Sequence, residues 1–249
     1  MSILKKFPVT RYINGEAIKD FDYILSEYIL SIYIDQNLIV KLICIPEYLD
    51  ELILGYLYSE SIISGANEIS TIKVDIENGR ADVELTSYGE NGKSIVTTDS
   101  GDFAEIPYKF KNLKNNIKLK NIAWKPEVIL KNANLLLSKS ELFKKTGNVH
   151  SVMLCQDEKV LYFSEDIGRY NAFDKSIGQA LRDNVNLDKT CIYTSGRIPS
   201  SIAMKVIRLG IPMIVSRSAP TDTTIRIAKE HNLTVIGFAK GEKMNLYTE

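Results

Sequence analysis

Apolar and polar positions alternate across residues 27–45 on either side of the polar tripeptide Asp35-Gln36-Asn37, which predicts two strands joined as a hairpin. Behind Pro46 the period lengthens, and Leu49, Leu52, Ile53, Tyr56 and Leu57 recur at helical spacing. Alternation returns in residues 72–76 and 81–85 around Glu77-Asn78-Gly79-Arg80, a second predicted hairpin. Residues 1–90 therefore read as a strand-rich N-terminal portion with one helix. From Ser87 to Ala123 the periodicity fades into Gly89, Gly92, Gly101, Pro107 and a lysine- and asparagine-rich run from Lys109 to Lys120. This stretch, and residues 91–123 in particular, is expected to be a long, exposed or mobile loop.

Beyond it the pattern predicts a helix over 126–145, then a hairpin of 149–155 with 159–164 through Gln156-Asp157-Glu158. A helix over 171–184 follows, then strand 190–194, helix 200–209, strand 212–215, helix 221–231 and strand 233–238. Strands alternating with helices predict an α/β unit over 124–249, built on a mostly parallel sheet with helices on both faces.

The chain has 249 residues, 45% hydrophobic and 25% charged, which suits a soluble globular protein with a sizeable core. Lysine plus arginine (31) equals aspartate plus glutamate (31), so the basic excess of a nucleic-acid binder is missing, while a small anionic ligand held by local charge is compatible. Met1-Ser-Ile-Leu-Lys-Lys lacks the apolar run of a signal peptide, and the apolar stretches are too short to span a membrane, so a cytoplasmic protein is expected. Cys44, Cys155 and Cys191 are far apart and fit neither a disulfide framework nor a zinc site. Cys44 alternates with Leu38, Val40 and Leu42, a core face, and Cys191 lies in an apolar run. Cys155 ends a strand before a polar turn and is expected to be the most accessible of the three.

Three strands of the series run into short polar turns that open helices. These are Glu165-Asp166-Ile167-Gly168-Arg169-Tyr170-Asn171 (with Asp174 and Lys175 just beyond), Ser195-Gly196-Arg197-Ile198-Pro199-Ser200, and Ser216-Arg217-Ser218-Ala219-Pro220-Thr221-Asp222. In an open parallel sheet such turns collect at the carboxyl ends of the strands, where ligands bind. Helix N-termini there present free N–H groups and positive dipole ends suited to phosphate. Arg169, Arg197 and Arg217 add planar forks for anionic oxygens. Together they point to a phosphate-bearing ligand. Singly, each residue also has a structural reading: Gly168 and Gly196 as turn glycines, Pro199 and Thr221 as helix starters, Arg217 as a solvated charge. His150 shares a strand face with Val152 and Leu154, as a core histidine would, yet it follows Thr146-Gly147-Asn148 at the mouth of the series, as a ligand-facing one would. His231 sits at a helix end before Asn232, an ordinary capping position.

These residues, in this order over most of the chain, resemble the family of formate dehydrogenase accessory proteins (FdhD/NarQ). The matching segments are Pro46-Glu-Tyr-Leu-Asp-Glu-Leu-Ile-Leu-Gly55 with Ser59-Glu60, Thr146-Gly-Asn-Val-His150, Asp166-Ile-Gly-Arg-Tyr-Asn-Ala-Phe-Asp-Lys175, Ser195-Gly-Arg197, Ser218-Ala-Pro-Thr221, Leu233-Thr-Val-Ile-Gly-Phe238 and Tyr247-Thr248. The resemblance implies a cytidine-deaminase-like α/β core with a smaller N-terminal portion, often assembled as a homodimer. It implies a role in formate dehydrogenase maturation, in which sulfur received from a cysteine desulfurase passes to the molybdenum cofactor. That cofactor is a bis-guanine dinucleotide with two pyrophosphates, so GDP or GTP would mimic it. By resemblance its site takes in His150, Asp166, Arg169, Asn171, Asp174, Lys175, Ser195, Gly196, Arg197, Ser218 and Thr221. The last strand and its turn add Phe238, Ala239, Lys240, Gly241, Glu242 and Lys243. Lys240 and Lys243 would supply charge and Phe238 a flat ring. Asp166 or Asp174 would accept from a guanine edge, or else pair with a neighbouring arginine.

The family carries sulfur on a Cys-x-x-Cys loop after a threonine. Here the corresponding stretch reads Thr97-Thr98-Asp99-Ser100-Gly101-Asp102-Phe103, with Ser100 and Phe103 in the cysteine positions. A serine hydroxyl cannot form a persulfide. Tyr170 and Pro199 likewise replace the histidine and serine usual in the family. The chain therefore reads as a cofactor chaperone that keeps the nucleotide site, the alternative being a sulfurtransferase working through another thiol, Cys155. A zinc hydrolase does not fit, because His150 is followed two places on by Val152 rather than glutamate and no cysteine pair exists.

Overall fold

The computed structural model describes residues 3–86 and 117–249; Ser100, Phe103 and most of the expected loop lie outside them. The chain opens with a two-stranded antiparallel ribbon, β1 (Leu4–Ile13) and β2 (Glu16–Leu25). Its turn is Asn14-Gly15, both residues in the left-handed region, as a two-residue hairpin turn requires. The alternation pattern misses this ribbon because its apolar side chains fall on both faces, although the Asn-Gly pair signals the turn.

β3 (Tyr28–Ile34) and β4 (Asn37–Cys44) form the first expected hairpin, with Asp35 and Gln36 at positive φ, and β5 (Ile69–Asp75) and β6 (Arg80–Leu85) form the second. They make one sheet in the order β4-β3-β6-β5, with β3 and β6 parallel. Its inner face, including Leu30, Ile32, Ile34, Leu42 and Val83, packs on Leu52, Ile53 and Leu57 of α1 (Leu49–Ser59).

The second sheet has the order β12-β11-β10-β9-β7-β8. Its strands are β7 (His150–Gln156), β8 (Lys159–Asp166), β9 (Cys191–Thr194), β10 (Met213–Ser216), β11 (Thr234–Lys240) and β12 (Lys243–Thr248). Parallel pairing is confined to the centre, across β9, β10 and β11, and the hairpins at the margins are antiparallel. Strand alternation sends Val152, Leu154, Ile192, Ile214 and Val235 to one face, under α4 (Arg169–Arg182), α5 (Ser200–Arg208) and α6 (Asp222–His231). Met153, Cys155, Tyr193, Val215 and Ile236 go to the other, under α2 (Pro126–Ser138).

The single helix expected over 126–145 is in fact two, α2 and the short α3 (Glu141–Thr146). The break falls at Lys139-Ser140, where the buried Ser140 hydroxyl bonds Ser151 Oγ (2.9 Å) and Glu165 Oε1, while Glu165 Oε2 accepts from the Leu142 N–H near the start of α3 (3.5 Å). These non-local bonds satisfy donors that a continuous helix would have bonded internally. Residues 117–123, read as the end of the loop, are held: Leu119 is buried, its N–H donates to His231 O (2.9 Å), and His231 Nδ1 lies 2.6 Å from Ile117 O. That contact gives buried His231 a tethering role in place of a solvent-facing cap.

The strand-rich portion is joined to the second sheet's layer by the crossing of α1 and α4. A Cβ added at Gly55 would overlap the Asp174 carbonyl, and one at Gly178 would overlap the Glu51 carbonyl, so the two helices meet backbone to backbone. Gly178→Ala is expected to cost about 3 kcal/mol in urea unfolding, whereas Lys73→Ala on exposed β5 should change stability by less than about 0.5 kcal/mol. Equal losses in the two variants would contradict the crossing as the joint.

Candidate functional site

The turns singled out from the sequence divide into an interior group and a rim group. Asp166, Asn171, Asp174 and Lys175 are interior, each less than a tenth exposed. Asp166 pairs with Lys175 (2.7 Å) and accepts from the N–H groups of Ile45 (3.0 Å) and Gly168 (3.0 Å) and from Asn171 Nδ2 (3.0 Å). Asn171 donates to Ile43 O (2.7 Å) and Lys175 to Ile45 O (3.0 Å). Asp174 pairs with Lys205 (2.8 Å) and accepts from Ser59 Oγ (2.7 Å), while Lys205 also meets Glu60 (3.2 Å). Burial works against charge on Lys205, but Asp174 and Glu60 more than offset it and raise its pKa. The expectation that Asp166 or Asp174 faces a guanine edge or an arginine is therefore corrected: both carboxylates serve lysines in the interior.

Cys155 is also corrected. Its β-bulge neighbourhood turns it inward, and it is fully buried against Cys191 on β9. Burial pushes its thiol up to about 12, and does the same to Cys44, to about 12, with the nearby Asp166 carboxylate adding to it. Cys191, also buried, is raised well above the usual thiol value by burial. None of the three is in the exposed, positively charged setting that makes a reactive thiolate.

Of the rim group, His150, Ser195 and Arg217 line a cavity of about 310 Å³, together with Asn148, Leu137 and Phe143. That volume is at the lower end for ligand cavities, enough for a fragment of a nucleotide with the remainder lying along the rim. His150 opens β7 and is half-buried beside Gly196, where a Cβ would come within 3.2 Å of its Nδ1. Burial lowers its pKa, and the guanidiniums of Arg169 and Arg197 lower it further, so the imidazole is neutral near pH 7. The carboxylates nearest this rim are engaged elsewhere, Asp166 with Lys175 and Glu165 with Ser140. Among the described residues no carboxylate forms an ion pair with Arg169, Arg197 or Arg217.

Several rim residues shape the site through the backbone. Ser195 Oγ accepts from Ser151 N–H (3.0 Å), and Ser216 Oγ donates to Gly196 O (2.6 Å) while accepting from Ser218 N–H (2.8 Å). Arg217 is partly committed, since its guanidinium donates to Ala133 O of α2 (3.0 Å). Thr221 caps α6, accepting from Thr224 N–H (3.3 Å). In the last hairpin Phe238 sits at a bulge with positive φ, 39% exposed, its N–H bonded to Ser218 O (2.9 Å). A bulge re-aims a side chain, and here it leaves the ring at the surface next to the third turn. Ala239 is buried in the core, while Lys240, Gly241, Glu242 and Lys243 are exposed. Asn134 of α2 grips this turn, exchanging bonds with both the N–H and the C=O of Gly241 (2.9 Å each). Leu137, Phe143 and Asn134 were missed by sequence reasoning, because the helix break that brings α2 and α3 to the rim depends on Ser140 and Glu165. Among the described residues no group of three or more histidines, cysteines and carboxylates could hold a metal ion, and no helix is long and apolar enough to cross a membrane.

Fold and rim together define an α/β protein with a cavity at the strand ends lined by His150, Ser195 and Arg217. The chain belongs to the FdhD/NarQ family, whose sequence model matches residues 25–249. It is 33% identical over 256 residues to the sulfur carrier protein FdhD of Listeria monocytogenes serovar 1/2a, covering 100% of this chain and 98% of the relative. It is 32% identical over 245 residues to the protein of that name in Bacillus subtilis (strain 168), covering 96% and 94%. A crystal structure from Desulfotalea psychrophila, assigned to a formate dehydrogenase accessory protein, superposes with a TM-score of 0.80 at 23% identity, covering 100% of this chain and 98% of that one. At that identity the superposition speaks for the fold.

The lowered pKa of His150 has a consequence for stability. A group whose folded pKa lies below its unfolded value contributes fully above the unfolded value, near 6.5 for histidine, and loses that contribution as pH falls below it. Wild type is therefore expected to lose more thermal stability between pH 7.5 and pH 5.5 than His150→Gln. Parallel melting curves for the two proteins would show that His150 is not held neutral.

Proposed function

We propose that this protein is an accessory factor for formate dehydrogenase maturation that binds the molybdenum cofactor, in its bis-guanine dinucleotide form, along the arginine rim and shelters or delivers it without carrying sulfur itself. The cofactor is cargo, and a cytoplasmic setting follows from that role. The observation that carries the reading is that all three cysteines of the chain are buried. Sulfur carriage begins when a thiolate attacks the outer sulfur of a donor persulfide and releases the donor thiolate. Here each thiol is packed in the core with a raised pKa, so neither access nor ionisation is provided.

What the residues keep is the anion site. Arg217 lines the cavity, Arg169 and Arg197 lie close enough to His150 to lower its pKa, and neutral His150 can donate or accept a hydrogen bond without adding charge. Lys240 and Lys243 stand exposed across the last turn, with Phe238 beside them as a surface ring. Pyrophosphate on the arginines and a guanine base against Phe238 would use both halves of this rim. The second reading, sulfur transfer through a thiol of this chain, accords with the name sulfur carrier protein borne by the relatives and requires a core thiol to become exposed.

Arg197→Ala and Lys240→Ala are expected to weaken GDP binding about tenfold or more, as loss of a charge-assisted hydrogen bond would. Lys73→Ala should leave it unchanged in the same calorimetric titration. Equal small effects in all three variants would remove the rim. Intact mass after incubation with a cysteine desulfurase and cysteine is expected to show no added sulfur. A gain of one sulfur that disappears in Cys155→Ala would establish the second reading.

A further inference from the structure

Cys155 on β7 and Cys191 on β9 stand directly opposite one another across an antiparallel strand pair. Both are buried on the face under α2, in the core cluster that holds Met153, Tyr193, Ile129 and Ala133. The Ser195 N–H bonds the Ser151 carbonyl (3.0 Å), and that pair continues the same register an even number of residues away. Hydrogen-bonded and non-hydrogen-bonded pairs alternate along such a ladder, so the two cysteines form a hydrogen-bonded pair, with Cα atoms about 5.5 Å apart. A disulfide spans that separation. Cys44, the third thiol of the chain, belongs to the other core, on β4 beneath α1, and faces neither of them.

Core packing suits a bond between them. Joining the two sulfurs adds no atom and removes two hydrogens, so it asks for no extra room in a close-packed interior. The pair also lies where the sheet opens most easily. Cys155 stands just before the exposed turn Gln156-Asp157-Glu158, and Cys191 just after the exposed Asp188 and Lys189. Strand ends beside exposed turns open locally at less than the cost of global unfolding. While the strands are closed, burial holds both thiols above their usual pKa. Thiol chemistry is therefore confined to the opened strand ends and to the folding chain.

We propose that Cys155 and Cys191 are a redox-active pair brought together by the fold, reversibly joined as a cross-strand disulfide that locks β7 to β9. The oxidant is a low-molecular-weight disulfide such as oxidised glutathione. One cysteine thiolate attacks it, forming a mixed disulfide and releasing one glutathione thiolate. The second then attacks the protein sulfur of the mixed disulfide and releases the other glutathione. Two electrons pass from the protein to the oxidant, and the two thiol protons end on two glutathione thiols. The bond closes the segment that runs from β7 through β8 and α4 to β9, which restricts the unfolded chain. The oxidised form is the more stable one, and reducing conditions release the lock. The inference does not rest on the cofactor reading, because the pair lies at the ends of β7 and β9 opposite to His150 and Ser195.

Redox equilibration of the full chain tests it. The reduced chain is refolded from urea into glutathione buffers of graded oxidised-to-reduced ratio, quenched, alkylated and mapped by peptide mass. The same buffers in urea supply the unfolded reference. The equilibrium constant for the Cys155–Cys191 link is expected to be about tenfold or more larger in the folded chain than in urea, with Cys44 recovered as a free thiol. The linked chain should keep the circular dichroism spectrum of the reduced one and unfold at a higher urea concentration, a difference that dithiothreitol abolishes. Cys191→Ser should form no link within the chain under the same conditions. A linkage constant in the folded chain no larger than in urea overturns the proposal. So does a dominant link through Cys44, or a linked chain that loses the native spectrum or unfolds no later than the reduced one.

Discussion

Gly55 of α1 and Gly178 of α4 meet with no side chain between the two backbones, and the arrangement of the rest of the molecule follows from that contact. Helices usually pack with axes 8–10 Å apart, the spacing set by the side chains at the crossing. Removing those side chains lets α1 approach until Ser59 and Glu60 at its end reach Asp174 and Lys205 on the other layer. Buried charges in such a cluster are costly to desolvate and are tolerated only when each is paired and hydrogen-bonded. A wider helix crossing would leave Lys205 and its two carboxylates apart in a dry interior, so the glycine contact and the ion cluster depend on one another.

The same close joint seats the end of β4 at the start of α4. Asp166 and Lys175 bind the backbone of Ile45, and Asn171 binds that of Ile43. The polar residues of this turn that look most like ligand groups are thereby used to attach one layer to the other. With Asp166 and Asp174 engaged by lysines inside, Arg169, Arg197 and Arg217 form no ion pair with a carboxylate among the described residues. That arrangement turns the acids inward and leaves Arg217 on the lining of the cavity at His150.

The three thiols of the chain lie on different elements but share one buried setting. The sequence has Ser100 and Phe103 where the resemblance implies cysteines, and core packing shields Cys44, Cys155 and Cys191 from solvent. The anion-compatible rim draws on other elements, the turns after β9 and β10 with α2 and α3 behind them, so it can persist without the thiols.

Much of the architecture was legible in the sequence. The hairpins at Asp35-Gln36 and Asp157, the helix behind Pro46 and the alternating strands and helices after residue 149 all follow from local periodicity and turn chemistry, which depend on neighbours in the chain. The Arg169, Arg197 and Arg217 turns were legible for the same reason. The β1–β2 ribbon escaped because alternation reveals a strand only when one face is buried, and this ribbon buries neither. The split of α2 from α3, the inward turn of Cys155, and the diversion of Asp166, Asp174 and Lys175 from the rim into the joint were decided by partners more than a few residues away. Sequence determined which residues could carry charge and which segments would be helix or strand. Only the tertiary structure decided which charges were spent on one another, because a buried carboxylate must find its cation in space, wherever the chain has placed it.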